Sequence, residues 1–138
     1  MRVSQRLDYS LRLLVALARL PEGELTGSGE LADRLVLPRR FLELQVSALK
    51  SAGLVRCRRG AGGGCALARS AADITVADVL RAVEGTVLDV PKNPASATAE
   101  AWTRAASVLE DELASVTLAD LATRQSALEA ESVPLYFI

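Results

Sequence analysis

Residues 60–64 read Gly-Ala-Gly-Gly-Gly, and this run constrains the fold more than any other stretch of the chain. Glycine loses more backbone freedom on ordering than any other residue and brings no side chain to pack, so neither a helix nor a central strand runs through four of them in five positions. On one side stands Leu54-Val55-Arg56-Cys57-Arg58-Arg59, on the other Cys65-Ala66-Leu67-Ala68-Arg69. The pattern predicts two short strands around a glycine-rich tip. A phosphate-binding nucleotide loop fits poorly, because no Lys-Ser or Lys-Thr follows the glycines and a strand comes next. The arginines flanking the tip point instead to a hairpin laid against a polyanion, a β-hairpin wing.

The rest of the chain has helical spacing. From about Ser4 to Leu20, Tyr9, Leu13, Ala16, Leu17 and Leu20 recur on one face, and Leu7, Leu11, Leu14 and Ala18 on another, so a second apolar stripe needs covering. Pro21-Glu22-Gly23 stops this helix. A short helix over about Ser28–Leu35 is followed by a longer one that starts near Pro38, continues through Phe41, Leu42, Val46 and Leu49, and ends at Gly53. Two helices joined by a tight turn, the second opening with Arg39-Arg40, form a helix-turn-helix pattern. Thr75-Val76-Ala77-Asp78 has the form of a capping box and opens a helix to Gly85. Residues 91–98 read as a linker. A long helix over about Ala99–Val116 carries Trp102, Ala105, Leu109, Leu113 and Val116 at near coiled-coil spacing, and Thr117-Leu118-Ala119-Asp120 starts a last short helix. The expected fold is mainly α with a small β-hairpin wing: a winged helix-turn-helix over 1–85, a linker over 86–98, and a dimerisation helix with a tail over 99–138.

Charge divides along the same line. Residues 1–69 hold twelve Lys and Arg against six Asp and Glu; residues 70–138 hold four against eleven. A basic half joined to an acidic half predicts that the first meets a polyanion although the whole chain is close to neutral. The longest apolar run, Leu11–Leu20, is interrupted by Arg12 and Arg19, so no membrane span, signal peptide or membrane partner is expected, and the cytoplasm is the expected location.

Enzymatic chemistry is poorly supplied. Histidine, the commonest general base and metal ligand, is absent, and no serine sits in a nucleophile-elbow pattern. Cys57 and Cys65 flank the wing tip and could face each other. With no further ligands in view they make no metal site, which leaves small packing residues or a thiol redox pair. No cofactor and no metal are expected.

The order of parts resembles the Rrf2 family of bacterial transcription regulators. The resemblance rests on Asp8-Tyr9 with Leu11-Arg12, Phe41-Leu42-Glu43, Ser51-Ala52-Gly53-Leu54-Val55, Arg59-Gly60-Ala61-Gly62-Gly63-Gly64, Ile74-Thr75-Val76, Arg81-Ala82-Val83-Glu84-Gly85, Trp102 and Thr117-Leu118-Ala119-Asp120-Leu121, across essentially the whole chain. Members that hold an iron–sulfur cluster carry three cysteines between the Val-Glu-Gly helix and the Trp; here residues 86–101 contain none, and Asp8, at a position where some members supply a fourth ligand, cannot hold a cluster alone. The chain is therefore similar to the cluster-free members that repress cysteine metabolism, with which it shares an aromatic pair before a terminal Ile, Tyr136-Phe137-Ile138. Leu44-Gln45 inverts the family's usual Gln-then-apolar order, Pro38 replaces a frequent capping Ser, and Cys65 replaces a common Tyr.

These readings nominate Arg39, Arg40, Phe41 and Glu43 on the recognition helix, with Arg58, Arg59 and Gly62 on the wing, as the set that meets double-stranded DNA at a palindromic operator. Arg suits guanine or phosphate, and Glu suits cytosine N4. Glu43 could instead pair with Arg39 or Lys50 along the helix. Ser4 and Tyr9 are candidates for phosphate-backbone contacts. Trp102, Leu109, Leu113 and Val116 are the expected homodimer seam. The resemblance further implies O-acetylserine thiol-lyase as a partner, gripped through Tyr136, Phe137 and the Ile138 carboxylate; packing of that tail on the protein's own dimer is the alternative. The function expected is a dimeric repressor of cysteine or sulfur metabolism. Its rivals are a thiol-redox repressor using Cys57 and Cys65, and an interaction subunit acting through the tail.

Overall fold

A computed structural model describes residues 2–132. The chain folds as α1 (Gln5–Ala18), α2 (Ser28–Leu35), α3 (Arg39–Ser51), β1 (Val55–Arg58), β2 (Gly64–Leu67), a 3-10 turn at Ala71–Asp73, α4 (Val76–Glu84), α5 (Ala97–Ala114) and α6 (Leu118–Glu131). The strands pair antiparallel with Cys57 opposite Cys65. This is the mainly helical architecture with one hairpin that the sequence predicts.

Local chemistry sets the helix starts. The Ser4 hydroxyl accepts from the Leu7 N–H and caps α1. Thr75 with Asp78, and Thr117 with Asp120, form two reciprocal capping boxes that open α4 and α6. The box carboxyl of Asp78 is held below its ordinary range, chiefly by the Thr75 backbone N–H and further by Arg81. The two starts are tied together. Thr75 bridges Thr117, the Val76 N–H donates to the Val116 carbonyl at 2.9 Å, and the Leu118 N–H donates to the Ile74 carbonyl at 2.9 Å.

The core lies between α1, α2, α3, α4 and the hairpin. Leu13, Leu14, Leu31, Leu42, Leu49, Ile74, Val79 and Leu118 are fully buried in it. Each such side chain contributes about 1.5–3 kcal/mol through burial. The last helix is fourteen residues long rather than short. It lies against α1, where Arg19 Nη1 donates to Glu129 Oε1 at 2.8 Å. That pairing holds the exposed Glu129 carboxyl down at about 2. Through Leu118 and Leu121 the last helix reaches the core against which Leu11 and Ala18 of the first helix also pack. Among the described residues no helix is long and apolar enough to cross a membrane.

Candidate nucleic-acid interface

The turn between α2 and α3 puts Val36 in the left-handed region at φ 56°, the one non-glycine residue with positive φ among those described. Its side chain is 87% exposed. The third helix is then held against the first by two contacts of different kinds. Phe41 meets Tyr9 edge-on, with ring centroids 5.4 Å apart, and the Arg12 guanidinium lies over the Tyr9 ring, 5.5 Å from its centre. One turn further on, the buried Ser10 hydroxyl hydrogen-bonds the buried Gln45 side-chain carbonyl at 3.1 Å. Phe41 is therefore half-buried and orients α3.

With Leu42, Gln45, Val46 and Leu49 buried, the opposite stripe of α3 carries Arg40, Leu44, Ser47 and Ser51, all exposed. Glu43 lies beside this stripe and is engaged by Arg39, Nε to Oε1 at 3.1 Å, one helical turn apart. Exposed pairs of this kind contribute only about 0.3–0.5 kcal/mol, so either partner can be drawn away by a stronger one.

Backbone needs build the wing. The Gly63 N–H donates to the Gly60 carbonyl at 2.9 Å, closing a turn with Gly62 at φ 74° in its third position. Arg58 Nη2 reaches back to the Gly62 carbonyl at 3.2 Å and braces the tip. At Gly64 a side chain is excluded outright: a Cβ there would stand 2.6 Å from the Thr26 backbone. Thr26 exchanges both backbone hydrogen bonds with Cys65, at 3.0 and 2.7 Å, and so adds a third, single-residue rung to the hairpin. Cys65 consequently faces Cys57 as a non-hydrogen-bonded pair, the arrangement that brings opposed side chains closest. Burial, and then the hydrogen bond with Cys57, push the Cys65 thiol up to about 12, away from the thiolate that redox chemistry uses.

Charge is unevenly committed. Arg6, Arg19, Arg34, Arg39, Arg81 and Arg124 each lie within 4.0 Å of a carboxylate. Among the described residues Arg40, Arg56, Arg58 and Arg59, on the recognition helix and wing, do not. Ser4, by contrast, is already occupied, as cap of α1 and as donor to Glu84.

The fifth helix packs on α4, with Glu110 accepting from Arg81 at 2.6 Å. Ala99 is buried and Leu113 leans on the protomer's own core, while Leu109 and Val116 are half-buried. Trp102 and Val108 remain 54% and 70% exposed. Tyr136, Phe137 and Ile138 lie outside the described residues.

Residues 3–124 match the Rrf2 family, described as an iron-dependent transcriptional regulator. The chain is 34% identical to the HTH-type transcriptional regulator CymR of Bacillus subtilis over 89% of its own length and 91% of that protein. Its structure is similar to that of CymR, titled the global cysteine regulator of B. subtilis, with a TM-score of 0.80, 32% identity and coverage of 90% of this chain and 98% of that one. It is also similar to T. potens IscR, with a TM-score of 0.79, 33% identity and coverage of 99% and 96%. These relatives are regulators and not enzymes, and so is this chain. An iron–sulfur cluster does not fit the donors available, since both cysteines lie in the wing hairpin and histidine is absent. Among the described residues no group of three or more Cys, His, Asp or Glu could hold a metal ion.

Proposed function

This chain belongs to the Rrf2 family of transcription regulators, and from that premise we propose that it is a cluster-free repressor that binds a palindromic operator as a homodimer. The observation that carries the reading is the set of arginines without carboxylate partners on α3 and the wing, beside a chain whose other half is acidic. Arg40 on the outward stripe suits a guanine edge or a phosphate, and Arg59 at the wing suits a phosphate or a narrow minor groove. Arg39 and Glu43 act as an exchangeable pair at the entrance to the groove, Arg58 shapes the tip, and Gly62 lets the backbone approach.

A two-fold operator needs two reading heads, and a second copy of the chain supplies the other. Trp102 and Val108 are the exposed members of an apolar arc on α5 with the half-buried Leu109 between them, while Leu113 packs on the protomer's core and Val116, beyond the helix end, accepts from the Val76 N–H. Cysteine metabolism as the regulated process is supported by the likeness to CymR. A grip on O-acetylserine thiol-lyase through Tyr136, Phe137 and Ile138 rests on the sequence of the C-terminal residues alone, an aromatic pair before a terminal Ile.

A gel shift on the protein's own upstream region, with and without peroxide, tests the reading. Saturable binding that oxidant leaves unchanged is expected. Binding lost under peroxide and restored by dithiol would favour the Cys57–Cys65 redox repressor. No binding at any salt concentration would overturn both.

A further inference from the structure

The recognition helix buries an amide and exposes a hydrocarbon. Gln45, with two donors and an acceptor able to read an adenine edge, is turned inward and held by Ser10 at 3.1 Å. Leu44, with no polar atom in its side chain, is 62% exposed. A single exposed leucine is ordinary on a protein surface. Here, however, the Ser10–Gln45 hydrogen bond and the Tyr9–Phe41 contact fix the rotation of α3, so Leu44 is held on the stripe opposite the core, one turn after Arg40 and one turn before Ser47.

We infer that Leu44 is a specificity-determining residue that reads the C5-methyl group of a thymine in each operator half-site. The inference rests on the DNA-binding reading above. Among the groups a base pair presents in the major groove, the thymine methyl is the apolar one; the others are hydrogen-bond donors and acceptors. Pressed against a carbonyl or an amino group, the Leu44 side chain would strip water from it and return no hydrogen bond. Set against a methyl, both apolar groups leave water together. Arg40 and Ser47 on either side supply the polar contacts that the neighbouring bases or phosphates need. The rule is both attractive and exclusive: the pair opposite Leu44 is A·T with thymine placed toward the helix, and C·G there is disfavoured unless the cytosine carries a 5-methyl group.

The test replaces each thymine of the operator singly by deoxyuridine, which keeps the base pair and removes only the methyl, and follows binding by fluorescence anisotropy. One symmetry-related thymine in each half-site should lose about fourfold in affinity when its methyl is removed, the loss expected for about one buried methyl-sized group. Leu44→Ala should bind the unmodified operator as weakly as the wild type binds the uracil duplex and should not distinguish the two. Because position 44 is an exposed helix position, this variant keeps its fold, which circular dichroism checks. If wild type shows no methyl dependence at any thymine, or Leu44→Ala keeps it, Leu44 does not read a methyl, although the protein still binds DNA. Failure to bind any duplex would overturn the regulator reading first and this inference with it.

Discussion

Ser10 and Gln45 form a hydrogen-bonded pair that joins α1 to the recognition helix from inside the core. Ser10→Ala leaves the Gln45 amide without that partner in a buried place, and a cost of about 1–3 kcal/mol is expected. Ser10→Ala with Gln45→Leu, which removes both polar groups, should recover most of it. Urea unfolding of the three proteins is the measurement; a double variant no better than the single would show that the pair has another role.

Arg59→Ala should weaken operator binding by about 1–3 kcal/mol if the side chain reaches a base or the minor groove, and leave the urea midpoint unchanged. The log of the wild-type binding constant should fall linearly with log salt, by about 0.9 for each phosphate neutralised. Undiminished affinity in Arg59→Ala would take the wing tip out of the interface.

Val108→Asp should convert the dimer to a folded monomer. The side chain is exposed in the protomer, so the aspartate harms folding little, but it places a charge inside the proposed seam. Sedimentation velocity decides the matter, and a dimer that persists would move the seam away from this arc.

Val36→Gly should stabilise the protein by about 0.5–1 kcal/mol. A left-handed conformation costs an ordinary L-residue about 1–2 kcal/mol, and the glycine returns part of this by loosening the unfolded chain. A lower urea midpoint in Val36→Gly would mean that the valine side chain makes a contact worth more than its strain.

Stability should fall in alkali through Cys65. Its thiol is raised from an ordinary 9.0 to about 12, so between those values the folded protein keeps a proton that the unfolded chain gives up. The contribution is complete below about pH 9 and is lost progressively as the pH rises toward 12. Unfolding free energies at about pH 8 and about pH 10 should therefore drop further in the wild type than in Cys65→Ala. Equal drops would show that Cys65 is not the group responsible.

The parts legible in the sequence are those whose cause is local. Thr75 with Asp78 and Thr117 with Asp120 announce their helices because a capping box is complete within four residues. The length of α6 escapes such reading because little beyond Leu118 and Leu121 packs on the core, which leaves no long apolar period to recognise. Thr26 is likewise invisible: a single rung has no alternation, yet it is what forbids a side chain at Gly64. On the recognition helix the charged residues were evident. The place of Leu44 was not, since the choice between Leu44 and Gln45 for the core depends on how α3 is rotated against α1, a matter settled by Ser10 and Tyr9 thirty-odd positions away. Phe41, nominated for DNA contact on its position alone, is spent partly on fixing that rotation.

The two backbone hydrogen bonds between residues 74–76 and 116–118 close the chain into a ring that contains α4, the segment from Gly85 to Ser96, and α5. Loop-closure entropy grows only with the logarithm of loop length, so doubling such a segment adds about 0.6 kcal/mol. Residues can therefore be gained or lost there at little thermodynamic penalty, with both ends of the ring still pinned to the core.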